Sequence, residues 1–509
     1  MLRKTIKELG FHSLIYLIGG LASTLASIIL LPVYTRFLTP TDYGILEVID
    51  NIRGQLVVIL LAGLVPAMAK FYKEADSEDA QKEVIGTAWI FVVSSGLIWL
   101  ICLFLFDKPS ANFLLGNVEL VLYIDLGILL LFIQVIFTTG NTCLNIRKQS
   151  KLFLIVSLIK LCLNIGANLY FIVGLRLGAK GMLFGELFSS GVVGIFLVGY
   201  LVARNGLHFR VHILGQMLKF GLPFIPNLFS AGLMHSADRS ILRPRWPSIS
   251  DIGIYGLGYR FPFMLNFLIL GSFGRIWNAS VMYEIAKQED CKRIYAKVMT
   301  YFMTVYVVCQ YILVVMAPTV IKVLAAPEYF QAWRLVQIVG LGMCFYTCHQ
   351  FFTTGAFIKS KTWYLPIAYM TAALINISLN WYFLPKYGYT AAAWNTVITY
   401  FAFSCVGFFI FRKIYPIPFE FRRLAFLFGT GIVLVLLNNA CYVQNSILLE
   451  CLKEIGFATL LPLILIWGPY LDQDERKTLQ EELHKIHPKL ALLYIRIQTR
   501  VKAITNHEK

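Results

Sequence analysis

Apolar stretches of about 20 residues, separated by short polar connectors, recur along the whole chain, as at 15–33, 88–106, 120–137, 152–173, 182–202 and 299–316, with a shorter one at 400–411. A run of that length crosses the hydrocarbon core of a bilayer as a helix. The pattern divides into fourteen predicted helices: 9–36, 42–70, 84–106, 117–146, 151–174, 178–203, 216–243, 251–283, 293–316, 329–358, 361–384, 388–411, 422–441 and 449–470. Most contain Gly, Ser, Thr or Asn, residues that let membrane helices approach closely. After residue 471 the pattern changes. Leu479, Leu483, Ile486, Leu490, Leu493, Ile497, Val501 and Ile504 recur at three- and four-residue steps among charged residues. That spacing predicts an amphipathic helix, kinked near Pro488, at the inner membrane surface or the base of the bundle.

The chain also echoes itself. "DYGI" at 42–45 returns as "DIGI" at 251–254, each followed by an arginine, Arg53 and Arg260. Asn164, Asn168, Tyr170 and Phe171 return with the same spacing as Asn376, Asn380, Tyr382 and Phe383. The two offsets nearly agree, so the first six helices correspond to the next six. Six is even, so both copies insert with the same orientation, related by a pseudo-twofold axis along the membrane normal. The expected architecture is an all-α polytopic membrane protein: an N-terminal lobe at 1–203, a cytoplasmic linker at 204–215, a C-terminal lobe at 216–412, two added helices at 413–470 and an amphipathic tail at 471–509. Two such lobes enclose a central cavity, an arrangement suited to a transporter.

Composition agrees with the pattern: 58% of residues are hydrophobic and 14% charged, against roughly a quarter charged in soluble domains. The net charge of +17 would suit a nucleic-acid binder, but its placement argues otherwise. With the basic leader "MLRKTIKELGFHS" inside, the inner side carries roughly four times the Lys and Arg of the outer loops. The excess charge therefore encodes topology, with both termini cytoplasmic, and no nucleic-acid partner is expected. Ten cysteines are scattered singly, without a CxxC or a Cys/His group at metal-ligand spacing. They read as small buried hydrophobes, and no metal or cofactor is expected.

Charges inside the apolar runs are the candidates for function. Arg53 lies eleven positions after Asp42 and Arg260 nine after Asp251, which puts them about 16 Å and 14 Å into the bilayer. An arginine at that depth costs at least about 2.5 kcal/mol and should face the bundle interior or a wet cavity. Glu47, Asp50 and Arg53 follow at three-residue steps, and the expectation is that this shared face lines the cavity. The structural reading is a local salt bridge from Asp50 to Arg53. Arg260 has no acid within one turn of its own helix, which favours a cargo-facing role. Lys160, Asn164 and Asn168 form a polar stripe spaced by four. The asparagines serve equally as helix-to-helix glue, whereas Lys160 is too deep to snorkel. Arg275 lies toward the inner end of its helix. Asp50, Asp125 and Glu186 are candidates to carry a coupling H⁺ or Na⁺, and Asp238 and Arg239 to close an outer gate. His349 is another isolated titratable group within a helix. Several cations with few acids suit an anionic cargo such as a phosphate or diphosphate.

"LLPVYTRFLTPTDYGILEVID" and "HSADRSILRPRWPSISDIGIYGLGYRF" resemble the O-antigen (Wzx-type) and capsule or exopolysaccharide repeat-unit flippases of the multidrug/oligosaccharidyl-lipid/polysaccharide exporter superfamily. The resemblance covers nearly the whole chain. It implies translocation of an undecaprenyl-pyrophosphate-linked oligosaccharide from the cytoplasmic to the periplasmic leaflet of a bacterial inner membrane. Alternating access through a cationic cavity would do this without enzymatic chemistry, with membrane lipids and the polysaccharide polymerase and chain-length machinery as partners. In related lipid II flippases, arginines on helices one, two and eight hold the head group. Arg53 and Arg260 fall on the second and eighth helices here, while the first has only Arg36 at its outer end. The alternatives are a lipid II flippase, a multidrug antiporter, which would show acids deep in its first helix, and a membrane glycosyltransferase or ligase, which would need a large loop or domain.

Overall fold

The computed structural model describes residues 29–240, 242–441 and 446–486. Most of the first predicted helix, with the leader, lies outside them, as does the tail beyond 486. The described residues are helical without a strand, and ten helices are long and apolar enough to cross a membrane. In chain order the helices begin with α1 (Leu31–Phe37), α2 (Pro40–Leu60), α3 (Leu64–Glu74), α4 (Glu78–Leu105), α5 (Asp107–Leu115), α6 (Val121–Ile146), α7 (Ser150–Asn168) and α8 (Gly178–Asn205). The second half holds α9 (Val211–Gly221), α10 (Ile225–Ser236), α11 (Ile249–Ile276), α12 (Cys291–Leu324), α13 (Ala332–Phe352) and α14 (Leu365–Ile414). Last come α15 (Phe421–Ala440), α16 (Ile447–Trp467) and α17 (Gln473–Ile486).

The predicted spans differ from these in instructive ways. The second is broken at Ala62 (φ 48°) and Gly63 (φ 70°) into α2 and α3. A left-handed alanine costs about 1 kcal/mol or more, and the neighbouring packing explains why it persists: a Cβ on Gly63 would lie 2.0 Å from the carbonyl oxygen of Gly221. The seventh span breaks at the same contact, where Leu222-Pro223-Phe224 forms a 3₁₀ turn and Pro226 opens α10. Proline is tolerated in a first turn, where no N–H is needed. Residues 107–115, expected to be a loop, form α5, closed by Gly116 at φ 76°. α14 joins the eleventh and twelfth predicted helices across Gly388, whose backbone (φ 52°, ψ −137°) is not helical. α17 starts within the predicted tail and is pinned by its Glu475 carboxylate, which accepts from Arg423 (3.0 and 2.9 Å) and from the Tyr301 hydroxyl (2.7 Å).

Lipid-facing and central helices separate by burial. In the apolar core of α4, 22% of residues are buried inside the protein, against 67% for the span containing α13. Hence α4 belongs to the periphery and α13 to the centre. The repeat is visible in local chemistry as well as in order. Thr39 and Asp42 form a capping box that starts α2, and Ser248 caps α11 by accepting from the Asp251 N–H at 3.1 Å. Asp42 accepts from the Ala179 N–H (3.3 Å) beside Gly178, and Asp251 lies beside Gly388. Both glycines have positive φ. Asn164 donates to Ser189 Oγ at 3.2 Å, as Asn376 donates to Thr399 Oγ1 at 3.4 Å.

α2 and α11 begin at the same end and cross there, as parallel copies must. A Cβ on Gly44 would sit 2.0 Å from the Ile249 carbonyl oxygen, and one on Gly253 would sit 2.0 Å from that of Pro40. The glycine of the repeated tetrapeptide is thus required twice, once on each side of one backbone-to-backbone contact. Gly253→Val should lower the thermal stability of the detergent-purified protein by about 1–3 kcal/mol through overpacking. Gly54→Ala, with no atom within 4 Å of the added Cβ, should leave it unchanged. Equal melting of Gly253→Val and the parent would refute the crossing.

Candidate functional site

Below this crossing the two halves enclose a cavity of about 340 Å³ lined by α2, α10 and α11. Glu47 sits one turn past Gly44, and Arg260 two turns past Gly253 on the facing helix. The Glu47 carboxylate lies 3.7 Å from Arg260 and 3.7 Å from Arg239, which follows α10. Arg260 also donates to the Tyr43 hydroxyl at 2.6 Å, and 31% of its side chain stays accessible. Arg239 is more confined. It stacks over Tyr259 (4.3 Å) and Tyr255 (5.1 Å), donates to the His235 carbonyl at 2.6 Å and lies 3.5 Å from Asp238. His235 Nδ1 faces the Tyr259 hydroxyl (3.3 Å) and that of Tyr400. Gln55 donates to Ser236 Oγ at 2.9 Å, a further link from α2 to α10.

The cavity continues along α11. Past His235 and Phe263, which both chambers share, it widens to about 700 Å³, with Asn266, Arg275, Asn278, Tyr346 and Gln350 on its walls. The result is a passage closed at the α2–α11 crossing. Three arginines and two acids (Glu47 and Asp50) line it, among aromatic rings. Guanidinium groups and ring faces together suit a ligand carrying both anionic oxygens and sugar rings.

The site expected from the sequence is split. Arg53 is 8% exposed and points into the first lobe, where it donates to both oxygens of Glu186 at 3.0 and 2.8 Å, with Asp50 farther away at 3.5 Å. It borders a separate cavity of about 70 Å³. The shared face of Glu47, Asp50 and Arg53 is therefore divided: both acids reach the central cavity, and the arginine does not. Arg260 has its acid after all, supplied by the other half of the chain. Lys160 lies over the Phe137 ring at 4.1 Å. Asn164 and Asn168 are engaged by Ser189, by Tyr34 (2.9 Å) and by one another (3.0 Å), so they bridge helices. Asp125 stands apart on α6, with one carboxylate oxygen buried and unpartnered among the described residues. Arg239 lies in the seam between the halves, 3.7 Å from Glu47, while the neighbouring Asp238 keeps to its own half, its carboxylate accepting from the Arg239 N–H at 2.8 Å. His349 is fully buried and bonded to the Phe403 carbonyl at 3.0 Å.

Tyr43, His235 and Arg275 are the members that sequence reasoning left out or set aside. Tyr43 offered a signal, since it is the variable position of the repeated tetrapeptide, facing an isoleucine in the second copy. His235 offered none. The bidentate pair inside the first lobe yields a test. Arg53→Ala leaves Glu186 uncompensated and should destabilise by about 3 kcal/mol. Arg53→Ala combined with Glu186→Ala should recover most of that loss in thermal unfolding. A double variant no more stable than the single one would show that the two are not coupled.

The sequence matches the family model described as "Polysaccharide biosynthesis protein" over residues 33–334, more than half of the chain. It matches no curated protein. Among solved structures it is similar to the lipid II flippase MurJ in an inward closed conformation, with a TM-score of 0.66 and 14% identity over 89% of this chain and 98% of that one. An inward-facing multidrug resistance transporter of the MATE family gives a TM-score of 0.63 and 17% identity over 77% and 94% of the two chains. A MOP superfamily transporter from Pyrococcus furiosus, described by the reverse polarity of its binding pocket, gives 0.57 and 18% over 80% and 95%. At these identities the likeness establishes the fold, that of the MATE and MurJ transporters, while the family match covers α2, α10 and α11, which line the narrow chamber. The chain is a multi-pass membrane protein and belongs to the polysaccharide biosynthesis protein family.

Proposed function

We propose that the protein flips a polyprenyl-pyrophosphate-linked oligosaccharide from the cytoplasmic to the periplasmic leaflet of the bacterial inner membrane, with both termini cytoplasmic. The observation that carries this reading is Arg260, partly open to the cavity and held by a carboxylate from the other half of the chain. A diphosphate entering through the wide chamber would meet Arg275 first and then Arg260. There its oxygens compete with Glu47 for the same guanidinium donors. Arg239 would keep Glu47 occupied once Arg260 lets go. Exchanging Glu47 for the diphosphate removes one of the ionic links between the lobes beneath the Gly44–Gly253 crossing. Cargo binding thereby favours opening of the closed end. The sugar rings have Phe263, Tyr346 and Trp277 to pack against. No bond is made or broken in this scheme, so the protein acts as a transporter rather than an enzyme. Residues 1–203 and 216–412 would move as lobes about the linker at 204–215, and Asp50, Asp125 and Glu186 remain the acids proposed for ion coupling.

The likeness to MurJ favours one second reading, lipid II as the cargo, because its head group is also a diphosphate-linked sugar. Reconstituted vesicles loaded in turn with a lipid-linked oligosaccharide and with lipid II separate the two. Arg260→Ala should slow flipping about 10–100-fold, the loss expected for a charge-assisted contact, while the protein stays folded. Arg260→Lys should recover part of the rate. Parental rates in Arg260→Ala would refute the role of this cavity, and flipping of lipid II alone would replace the oligosaccharide reading.

A further inference from the structure

The two helices that follow the repeat carry a polar cluster that the transport pathway does not use. α12, α15 and α16 pack through apolar stripes. On α12 the stripe runs Met303, Val307, Tyr311 and Val315. On α15 it is Leu427, Gly431 and Leu434, and on α16 Ala458, Leu461 and Leu465. Each stripe continues into one polar residue at the same end: Thr319, Asn438 and Glu454. All three are buried, at 6%, 1% and 0% exposure.

Their convergence follows from the packing. Leu461 lies against Gly431, so the antiparallel partner of Asn438 is Glu454, and Lys453 reaches the Asn438 carbonyl at 3.4 Å. Thr319 faces the Glu454 carboxylate. One turn farther along, Lys322 bonds Glu450 at 2.6 Å and closes this end. Thr319 is near enough to act on the Glu454 carboxylate, yet no hydrogen bond of good distance and angle reaches either Glu454 oxygen, Thr319 Oγ1 or the Asn438 amide among the described residues. The nearby cations are engaged elsewhere: Lys322 by Glu450, and Lys453 at the carbonyls of Asn438 and Cys441, where its charge meets the negative end of the α15 dipole.

A buried carboxylate at membrane depth needs a compensating positive charge. A proton on Glu454 sits on one oxygen and is shared with at most one neighbouring acceptor. A hard cation gathers several oxygens at once, and four are present here: two from Glu454, Asn438 Oδ1 and Thr319 Oγ1. With a single negative charge among them, a monovalent ion balances the site, whereas a divalent one would leave a net charge buried. We infer that Glu454, Asn438 and Thr319 form a binding site for a dehydrated monovalent cation of the Na⁺ class, which fastens α15 and α16 to α12. It stands apart from the central cavity and does not depend on the cargo.

The full-length protein in detergent, melted in NaCl against choline chloride at constant ionic strength, tests this. Na⁺ should raise the melting temperature saturably, and Glu454→Gln should abolish the response. Thr319→Val and Asn438→Ala should each shift its midpoint about tenfold or more, the scale on which metal sites respond to a lost partner. Arg260→Ala, a cavity variant, should keep the full response. Should Glu454→Gln fail to fold, equilibrium binding of ²²Na⁺ to the parent and to Asn438→Ala gives the same comparison. An equal melt in Na⁺ and choline would overturn the proposal, and so would undiminished binding in Asn438→Ala. A stability that responds to pH alone, with Glu454→Gln matching the parent, would make Glu454 a protonated acid instead.

Discussion

Two backbones touch where α2 crosses α11, and the rest of the cavity is organised around that contact. Gly44 and Gly253 bring the helix axes too close for any side chain to intervene. One turn below, the separation is right for a glutamate on one helix to reach arginines belonging to the other half. Glu47 therefore does for charge what the glycines do for shape, joining the halves at one level. Tyr43 beneath Arg260, and Tyr255 and Tyr259 beneath Arg239, supply ring faces and hydroxyls that keep the guanidinium groups from being stranded away from water.

The same logic explains why the two arginines of the sequence echo have different surroundings. Arg260 faces the seam and stays accessible. Arg53, at nearly the same distance from its own Asp-x-Gly-Ile, turns inward to Glu186 and braces α2 against α8 within one lobe. Helix rotation decides the difference, because eleven residues and nine residues past equivalent aspartates are about 200° apart on an α-helix. The repeat conserved the depth of the charge but not its direction.

Much of the fold was legible in the sequence because its signals are local or periodic. Apolar length marked the spans, turn residues marked their ends, and the tetrapeptide echo with the asparagine pairs marked the repeat. Gly44 and Gly253 were visible as an echo before their contact was known. What escaped depends on partners far away in the chain. The breaks at Ala62–Gly63 and Gly221–Phe224 arise from each other, across more than 150 positions, through a backbone approach that neither segment announces. The acid for Arg260 comes from the opposite half, and Glu186 lies 133 positions from Arg53. α5 was missed for a different reason, being a short helix of mixed polarity with little periodic signal. The shared face assigned to Glu47, Asp50 and Arg53 was right in spacing and too coarse in angle.

The two glycine contacts of the second span also define a lever. Gly44 meets the start of α11 and Gly63 meets the end of α9, so both ends of α2 rest on segments from the other side of the linker. The arm between them is nineteen residues, or about 29 Å. If Gly63 is the pivot, a rotation of roughly 20° swings Gly44 through about 10 Å, while the backbone at Gly63 scarcely moves. Such a swing far exceeds the 3.7 Å that separates Glu47 from either arginine. A swing of that size would part Glu47 from both arginines outright rather than stretch the pairs.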